Sequence, residues 1–193
     1  MRMALGISDF LTMRSRDLRA ALVGGHPVDP AAIENREYHG IALGLPRWIE
    51  RLTWKKFTKT FHRDPETGAL RGWNVRVVQT PLDDPAWEPQ RRNDAPVTFG
   101  YYEVIPGEGV RMPLPAQHGL LIHYGLGGNP LWEAFGRARD PLVAVNAGSS
   151  ELLLGWTYMD WGFVRVGTPS FFLLKRGPEL GHLARPPRAP RRE

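Results

Sequence analysis

The 193-residue chain contains no cysteine. That single absence removes disulfide frameworks, thiolate zinc sites, iron–sulfur clusters and cysteine nucleophiles. No apolar run approaches the roughly 20 residues that a membrane-spanning helix requires. The apolar start Met1-Arg2-Met3-Ala4-Leu5-Gly6-Ile7 reaches Asp9 too early for the core of a secretion signal, which sets the expectation of a cytoplasmic protein. The six histidines, His26, His39, His62, His118, His123 and His182, are never two or four residues apart, so no local zinc or iron signature exists and no metal is expected. Ser149 and Ser150 lie outside any Gly-x-Ser-x-Gly frame, which leaves a serine hydrolase without support.

Charge of one sign is also scarcer than it looks. The formal net charge is +5, but Arg185, Arg188, Arg191 and Arg192 crowd into the last ten residues against Glu193 alone, leaving an unremarkable +2 on the rest. The tail, residues 179–193, is interleaved with Pro186, Pro187 and Pro190 and is expected to be disordered. It predicts weak electrostatic attachment at most, with no specific nucleic-acid partner.

What is present fits one globular domain: 42% hydrophobic and 23% charged residues, with 21 Gly, 18 Pro and seven Trp. Residues 1–36 read as a helical segment. Ser8 is placed to cap a helix carrying Phe10, Leu11, Leu18, Ala21 and Leu22 and ending at Gly24-Gly25, and Asp29-Pro30 opens a second, very short one. From Tyr38 the pattern turns to strands: 38–43, 54–63, 69–79, 97–105, 120–124, 142–147, 151–161 and 170–176, with Asp64-Pro65-Glu66-Thr67-Gly68 and Ala147-Gly148-Ser149-Ser150 as turns. Eight consecutive strands without crossover helices predict an antiparallel meander closed into a barrel over residues 37–178. Three connections, 80–96, 106–119 and 125–141, are long enough to be lids or binding loops. The last carries a helix expected from Pro130, capped by Asn129, with Leu131, Trp132 and Phe135 on one side.

Alternation supplies the candidate site. Phe99, Tyr101 and Glu103 share one strand face, and Trp156, Tyr158 and Asp160 another, so Phe99, Tyr101, Trp156 and Tyr158 are expected to line a cavity. Trp73, Val75 and Val77 are expected on a buried face, with Asn74 and Arg76 on a wet one. His123, in the apolar strand Leu120-Leu121-Ile122-His123-Tyr124, points into the same cavity on this reading. There it could bind a ligand, ligate haem iron as the only cofactor in view, or act as acid or base with Glu103 or Asp160. Gly125-Leu126-Gly127-Gly128-Asn129-Pro130 lacks the third glycine and the strand–helix–strand frame of a dinucleotide fingerprint and reads as a Gly-rich turn. In Trp54-Lys55-Lys56-Phe57-Thr58-Lys59-Thr60-Phe61, lysines and phenylalanines alternate on one face, so no aromatic platform for single-stranded nucleic acid forms.

Two blocks carry a resemblance. His26-Pro27-Val28-Asp29-Pro30, Tyr38-His39-Gly40 and Trp54-Lys55-Lys56-Phe57, and then Pro141-Leu142-Val143 through Leu153-Leu154-Gly155-Trp156 to Ser170-Phe171-Phe172-Leu173-Leu174-Lys175-Arg176, resemble a bacterial family of unknown function named for a Gly-x-Trp-x-Gly signature. Arg36, Tyr38 and Gly40 occupy the signature positions here, with only Gly40 matching. The resemblance implies a calycin barrel similar to lipocalins and fatty-acid-binding proteins, in which Tyr38 and Arg176 meet where the first and last strands close the base. The resulting expectation is a carrier that takes a small hydrophobic or amphipathic molecule in the barrel cavity, with an enzyme using the same cavity as the alternative.

Overall fold

The computed structural model describes residues 4–44, 55–130 and 132–191. The expected strand start at Thr53 and Trp54, Leu131, and the extreme ends of the chain lie outside the described residues.

Eight strands form a closed antiparallel barrel: β1 (Arg36–Leu43), β2 (Lys56–Arg63), β3 (Leu70–Arg76), β6 (Thr98–Pro106), β7 (Leu120–His123), β8 (Ala138–Ala144), β9 (Leu152–Asp160) and β10 (Arg165–Glu179). Each pairs with its predecessor in this series, and β10 returns to β1, so no edge is left unpaired. This is a calycin-like barrel. The short pair β4 (Arg91–Arg92) and β5 (Ala95–Pro96) is a separate hairpin within the loop before β6.

Three short helices precede the barrel. The single helix expected from Ser8 is two, α1 (Ile7–Leu11) and α2 (Ser15–Val23), with Gly6 at the first N-cap, where the Asp9 carboxylate accepts its N–H at 2.7 Å. The break lets Phe10, Leu18 and Leu22 gather on one patch of the outer wall. α3 (Pro30–Ile33) starts as expected, with the Asp29 carboxylate accepting the Ala31 N–H at 2.9 Å, and Ile33 together with Val28 plugs one end of the barrel.

Pleating divides the side chains into two buried layers. Inside are Tyr38, Phe61, Leu70, Tyr102, Ile122, Leu142, Leu153, Phe172 and Leu174. Outside, under α1 and α2, are Ile41, Leu121, Val143, Leu154, Trp156, Tyr158, Phe171 and Leu173. A barrel wall covered by helices is apolar on both faces, so alternation alone does not reveal which is the inner one. Trp156 and Tyr158 therefore sit outside the barrel, with Trp156 stacked on Phe171 at 6.1 Å and its indole N–H donating to the Thr168 carbonyl at 2.8 Å. In β3, Trp73 and Val75 are buried as expected, on the outer face, and Val77 is buried too, whereas Asn74, expected on a wet face, is buried inside against Lys59.

At the base, Tyr38 and Arg176 are cross-strand partners. The Tyr38 hydroxyl donates to the Ser150 carbonyl at 2.8 Å, burial pushes its pKa up to about 12, and Arg176 pairs with Glu151 at 3.5 Å. The loop from 77 to 97 wraps the outer wall of β1–β3. Its anchor is Lys56, buried completely, whose ammonium donates to Thr80 Oγ1 (2.8 Å) and the Asp84 carbonyl (2.7 Å) and lies over the Trp87 ring.

Candidate functional site

Two polar clusters could carry chemistry, one on the barrel axis and one on its flank. On the axis, Lys59 projects from β2 between Phe57 and Phe61. Its three ammonium protons have three acceptors: Tyr124 Oη at 2.6 Å, Asn74 Oδ1 at 3.0 Å and Asp140 Oδ2 at 3.3 Å. The Tyr124 hydroxyl donates onward to Asp140 Oδ2 at 3.0 Å, and the Asn74 amide donates to the Gly100 carbonyl at 3.0 Å. Rings of Phe57, Tyr102, Tyr124 and Phe172 surround the ammonium at 5.0–5.8 Å from their centroids. Burial pulls the Lys59 pKa down, opposed by Asp140, and burial drives the Tyr102 and Tyr124 hydroxyls well above their ordinary range. One atom is left over: Asp140 Oδ1 is buried without a hydrogen-bond partner.

The sequence reading missed this cluster. The signal was one charge in the middle of an inward aromatic face, Phe57-x-Lys59-x-Phe61, and one carboxylate in the strand series Ala138, Asp140, Leu142. In sequence Lys59 reads as one of two lysines interrupting an aromatic face, and Asp140 falls in the connection 125–141, outside the expected strand 142–147, so neither stands out.

The flank cluster lies where β7 ends and β8 begins. Among the described residues no α-helix follows Pro130; two short 3₁₀ turns, Tyr124–Leu126 and Ala134–Arg137, flank that position instead. Asn129 caps no helix. Its side chain bridges strands, accepting the Tyr101 N–H at 2.7 Å and donating to the Tyr101 and Tyr124 carbonyls at 2.7 and 2.8 Å. The glycines serve close approach: Gly128 has φ +76, and a Cβ there would meet the Arg188 carbonyl oxygen at 2.2 Å. Arg188 belongs to the tail, which is held against this turn and not free as expected: its N–H donates to the Gly128 carbonyl at 3.1 Å and its guanidinium to the Asn129 carbonyl at 3.3 Å.

Turn, strand ends and tail enclose a cleft of about 480 Å³, within the usual range for small-molecule sites. Four arginines line it, Arg137, Arg139, Arg188 and Arg191, against two carboxylates, Glu133 and Asp160, and the indoles of Trp132 and Trp161 stand in its walls. The Arg137 guanidinium lies over the Trp161 ring at 4.5 Å. Asp160 is committed to Arg165 at 3.3 Å and accepts the Gly162 N–H at 2.8 Å. Two buried atoms in the lining have no partner: His123 Nδ1 and Glu133 Oε2. Burial lowers the His123 pKa to about 4, helped by Arg139 and opposed by the residue's own backbone and by Asp160, so the imidazole is neutral at pH 7.

The residues singled out from sequence are thus divided. His123 and Asp160 share the cleft, and Glu103 faces His123 directly across the β6–β7 ladder. All three are on the outer face of the sheet, so an acid–base pair drawn from them belongs to the flank and not to the interior. Phe99 faces inward at the barrel mouth, 5.8 Å from Phe135. Tyr101 faces outward, because Gly100, at φ +55, makes an irregularity in the β3–β6 register that reverses the alternation after Phe99. Trp156 and Tyr158 are on the outer wall; the Tyr158 hydroxyl, without a partner, has its pKa pushed up to about 12 by burial. Among the described residues no group of three or more His, Asp or Glu could hold a metal ion, and no helix is long and apolar enough to cross a membrane.

The fold and cleft define a closed eight-stranded antiparallel barrel with a cationic, indole-walled cleft on its flank. No protein family, curated protein or solved structure matches the chain.

Proposed function

We propose that the protein binds a small amphipathic anion in the flank cleft, its charge met by the arginines and its apolar part by the indoles. The observation that supports this most is the cleft lining: four guanidinium groups against two carboxylates, of which Asp160 is already paired with Arg165, beside the buried His123 Nδ1 without a hydrogen-bond partner. Buried polar atoms without partners are uncommon in finished interiors, and a site that binds a polar group is a standard reason for them. Guanidinium groups match a carboxylate or phosphate through paired N–H donors, and an indole face takes the ring or chain attached to it.

On this reading the ligand sits beside the barrel and not along its axis. The axis is occupied by Lys59, Asn74, Asp140 and their surrounding rings, nearly all buried. With its imidazole neutral at pH 7, Nδ1 offers the ligand a lone pair or a proton according to the tautomer it selects.

The test uses anilinonaphthalene sulfonate, an aromatic anion whose fluorescence rises on binding. The full chain should bind it saturably, and a neutral naphthyl amide far more weakly. The double variant Arg188→Ala/Arg191→Ala should lose about tenfold or more in affinity, since a hydrogen bond to a charged group contributes about 1.5–3 kcal/mol. Equal binding by wild type and double variant would overturn the assignment.

A further inference from the structure

Of the four aromatic side chains that stand exposed among the described residues, Trp132 and Trp161 line the flank cleft and Phe163 follows Trp161 in the β9–β10 turn, while Phe135 packs against Phe99 and Tyr124. Phe163 is 92% exposed and Trp132 86% exposed, and Val164 and Val166 extend the apolar edge along β10. The turn is built to hold them out. The Trp161 N–H donates to the Val164 carbonyl at 3.0 Å, Gly162 takes φ +86, and the Asp160 carboxylate ties down the Gly162 N–H. Nothing in the fold uses Phe163, which is the outermost residue of a backbone-locked tip. Behind this apolar edge stand Arg137, Arg165, Arg188 and Arg191, of which Arg165 is paired to Asp160.

We propose that this rim docks on an anionic membrane surface, with the Trp161–Val164 tip and Trp132 entering the interfacial region and the arginines meeting lipid phosphates. Tryptophan and phenylalanine are the side chains that settle best at the headgroup level, where an apolar body and a wet surrounding coexist. Arginine adjacent to them supplies the attraction to anionic lipid, on the order of 1 kcal/mol per charge near such a surface. The charge complementarity is what selects a membrane over a second copy of the chain, since two such arginine-backed rims repel. The protruding shape agrees: separate apolar side chains on a narrow tip suit a fluid interface, whereas a protein partner must supply a socket for each. The surface shares Trp132, Trp161 and three arginines with the cleft, whereas Phe163, Val164 and Val166 are not part of the cleft lining, so the two readings can be tested apart.

The experiment floats the full chain with vesicles of phosphatidylcholine alone and of equal parts phosphatidylcholine and phosphatidylglycerol, with tryptophan emission followed in parallel. Wild type should float with the anionic vesicles, shift its emission to the blue, and be released by high salt. Phe163→Ser/Val164→Ser should reduce partitioning at least about tenfold, from the lost apolar burial, with an unchanged unfolding midpoint because both side chains are exposed. It should also keep its affinity for anilinonaphthalene sulfonate, which separates failure here from failure of the cleft reading. Wild type that stays in solution, or a variant that floats equally well, overturns the proposal. So does a concentration-dependent dimer in vesicle-free solution that the double substitution abolishes, since the rim would then be a contact between copies.

Discussion

The barrel axis and the barrel flank each hold buried cationic and acidic groups, and they resolve them in opposite ways. On the axis every ammonium proton of Lys59 finds an acceptor within 3.3 Å and four rings close over it, and the one atom left over, Asp140 Oδ1, belongs to a side chain only 2% exposed. On the flank, His123 and Glu133 each keep a buried polar atom unused, and a cleft of about 480 Å³ lies in front of them. A network sealed inside the barrel spends its polarity on specifying the interior, even with one carboxylate oxygen left over; one that opens on a cleft leaves donors and acceptors for something else. The difference teaches that charge inside a barrel is not by itself a sign of a ligand, and that an unfinished network on the wall is the better sign.

The largest effect that bears on this comparison is expected on the axis. Asp140→Ala or Lys59→Ala leaves one charge buried without its counter-charge, which destabilises by about 3–5 kcal/mol. Lys59→Met/Asp140→Leu together removes both charges and should recover most of that loss or exceed wild type, because well-packed apolar replacements of a buried pair are often neutral or stabilising. Urea unfolding of the three variants gives the answer. Single variants within about 1 kcal/mol of wild type would mean that the axis is open to water and that the comparison drawn here is mistaken.

Trp156→Ala probes the wall between the two clusters. Trp156 is 1% exposed and packs with Phe171 and Tyr158 under the N-terminal helices. Its loss should cost about 3–5 kcal/mol while leaving anilinonaphthalene sulfonate affinity within a factor of two or so. A large loss of dye binding in a variant that remains folded would return Trp156 to the role of a ligand-lining residue.

Most of the barrel was legible from alternation and turn chemistry. All eight strands are visible in sequence, with ends displaced by a few residues, since Gly68 and the Asn146–Ser150 turn mark hairpins and aromatic and β-branched residues fill the strands. Face was not legible. β9 is apolar on both sides, Leu153 inward and Leu154 outward, because helices cover its outer side. Gly100 reversed the phase of β6 through a local irregularity that no periodicity announces. The flank cleft was the least legible part, since it forms only when residues from 123, 137, 160 and 188 meet, and that meeting is a property of the closed barrel. His123 and Asp160 were visible as unusual residues in strands, while the direction they face was not.

The smallest expected effect probes the flank by pH, against a second half-buried histidine on the outer wall. Burial holds His123 at about 4, and holds His39 at about 4 as well, where it stacks on Trp87 at 4.5 Å beside Lys175 and Lys56. In the unfolded chain both titrate near 6.5. Between pH 6.5 and 4 the unfolded state therefore binds more protons than the native state, so stability falls as the pH is lowered through that window and levels off below it. Both residues are only half-buried, so solvent screening keeps this loss below that of breaking the Lys59–Asp140 pair. His123→Gln/His39→Gln keeps polar side chains of similar reach that do not titrate, and should flatten the unfolding midpoint across pH 4–6.5. A saturating anion in the flank cleft should act differently. By favouring positive charge nearby it raises the His123 pKa, so the dye-bound protein should lose less stability on acidification than the free protein, in wild type and in His39→Gln but not in His123→Gln. If the dye shifts the acid profile equally in all three, it binds away from His123, and the flank network is finished after all.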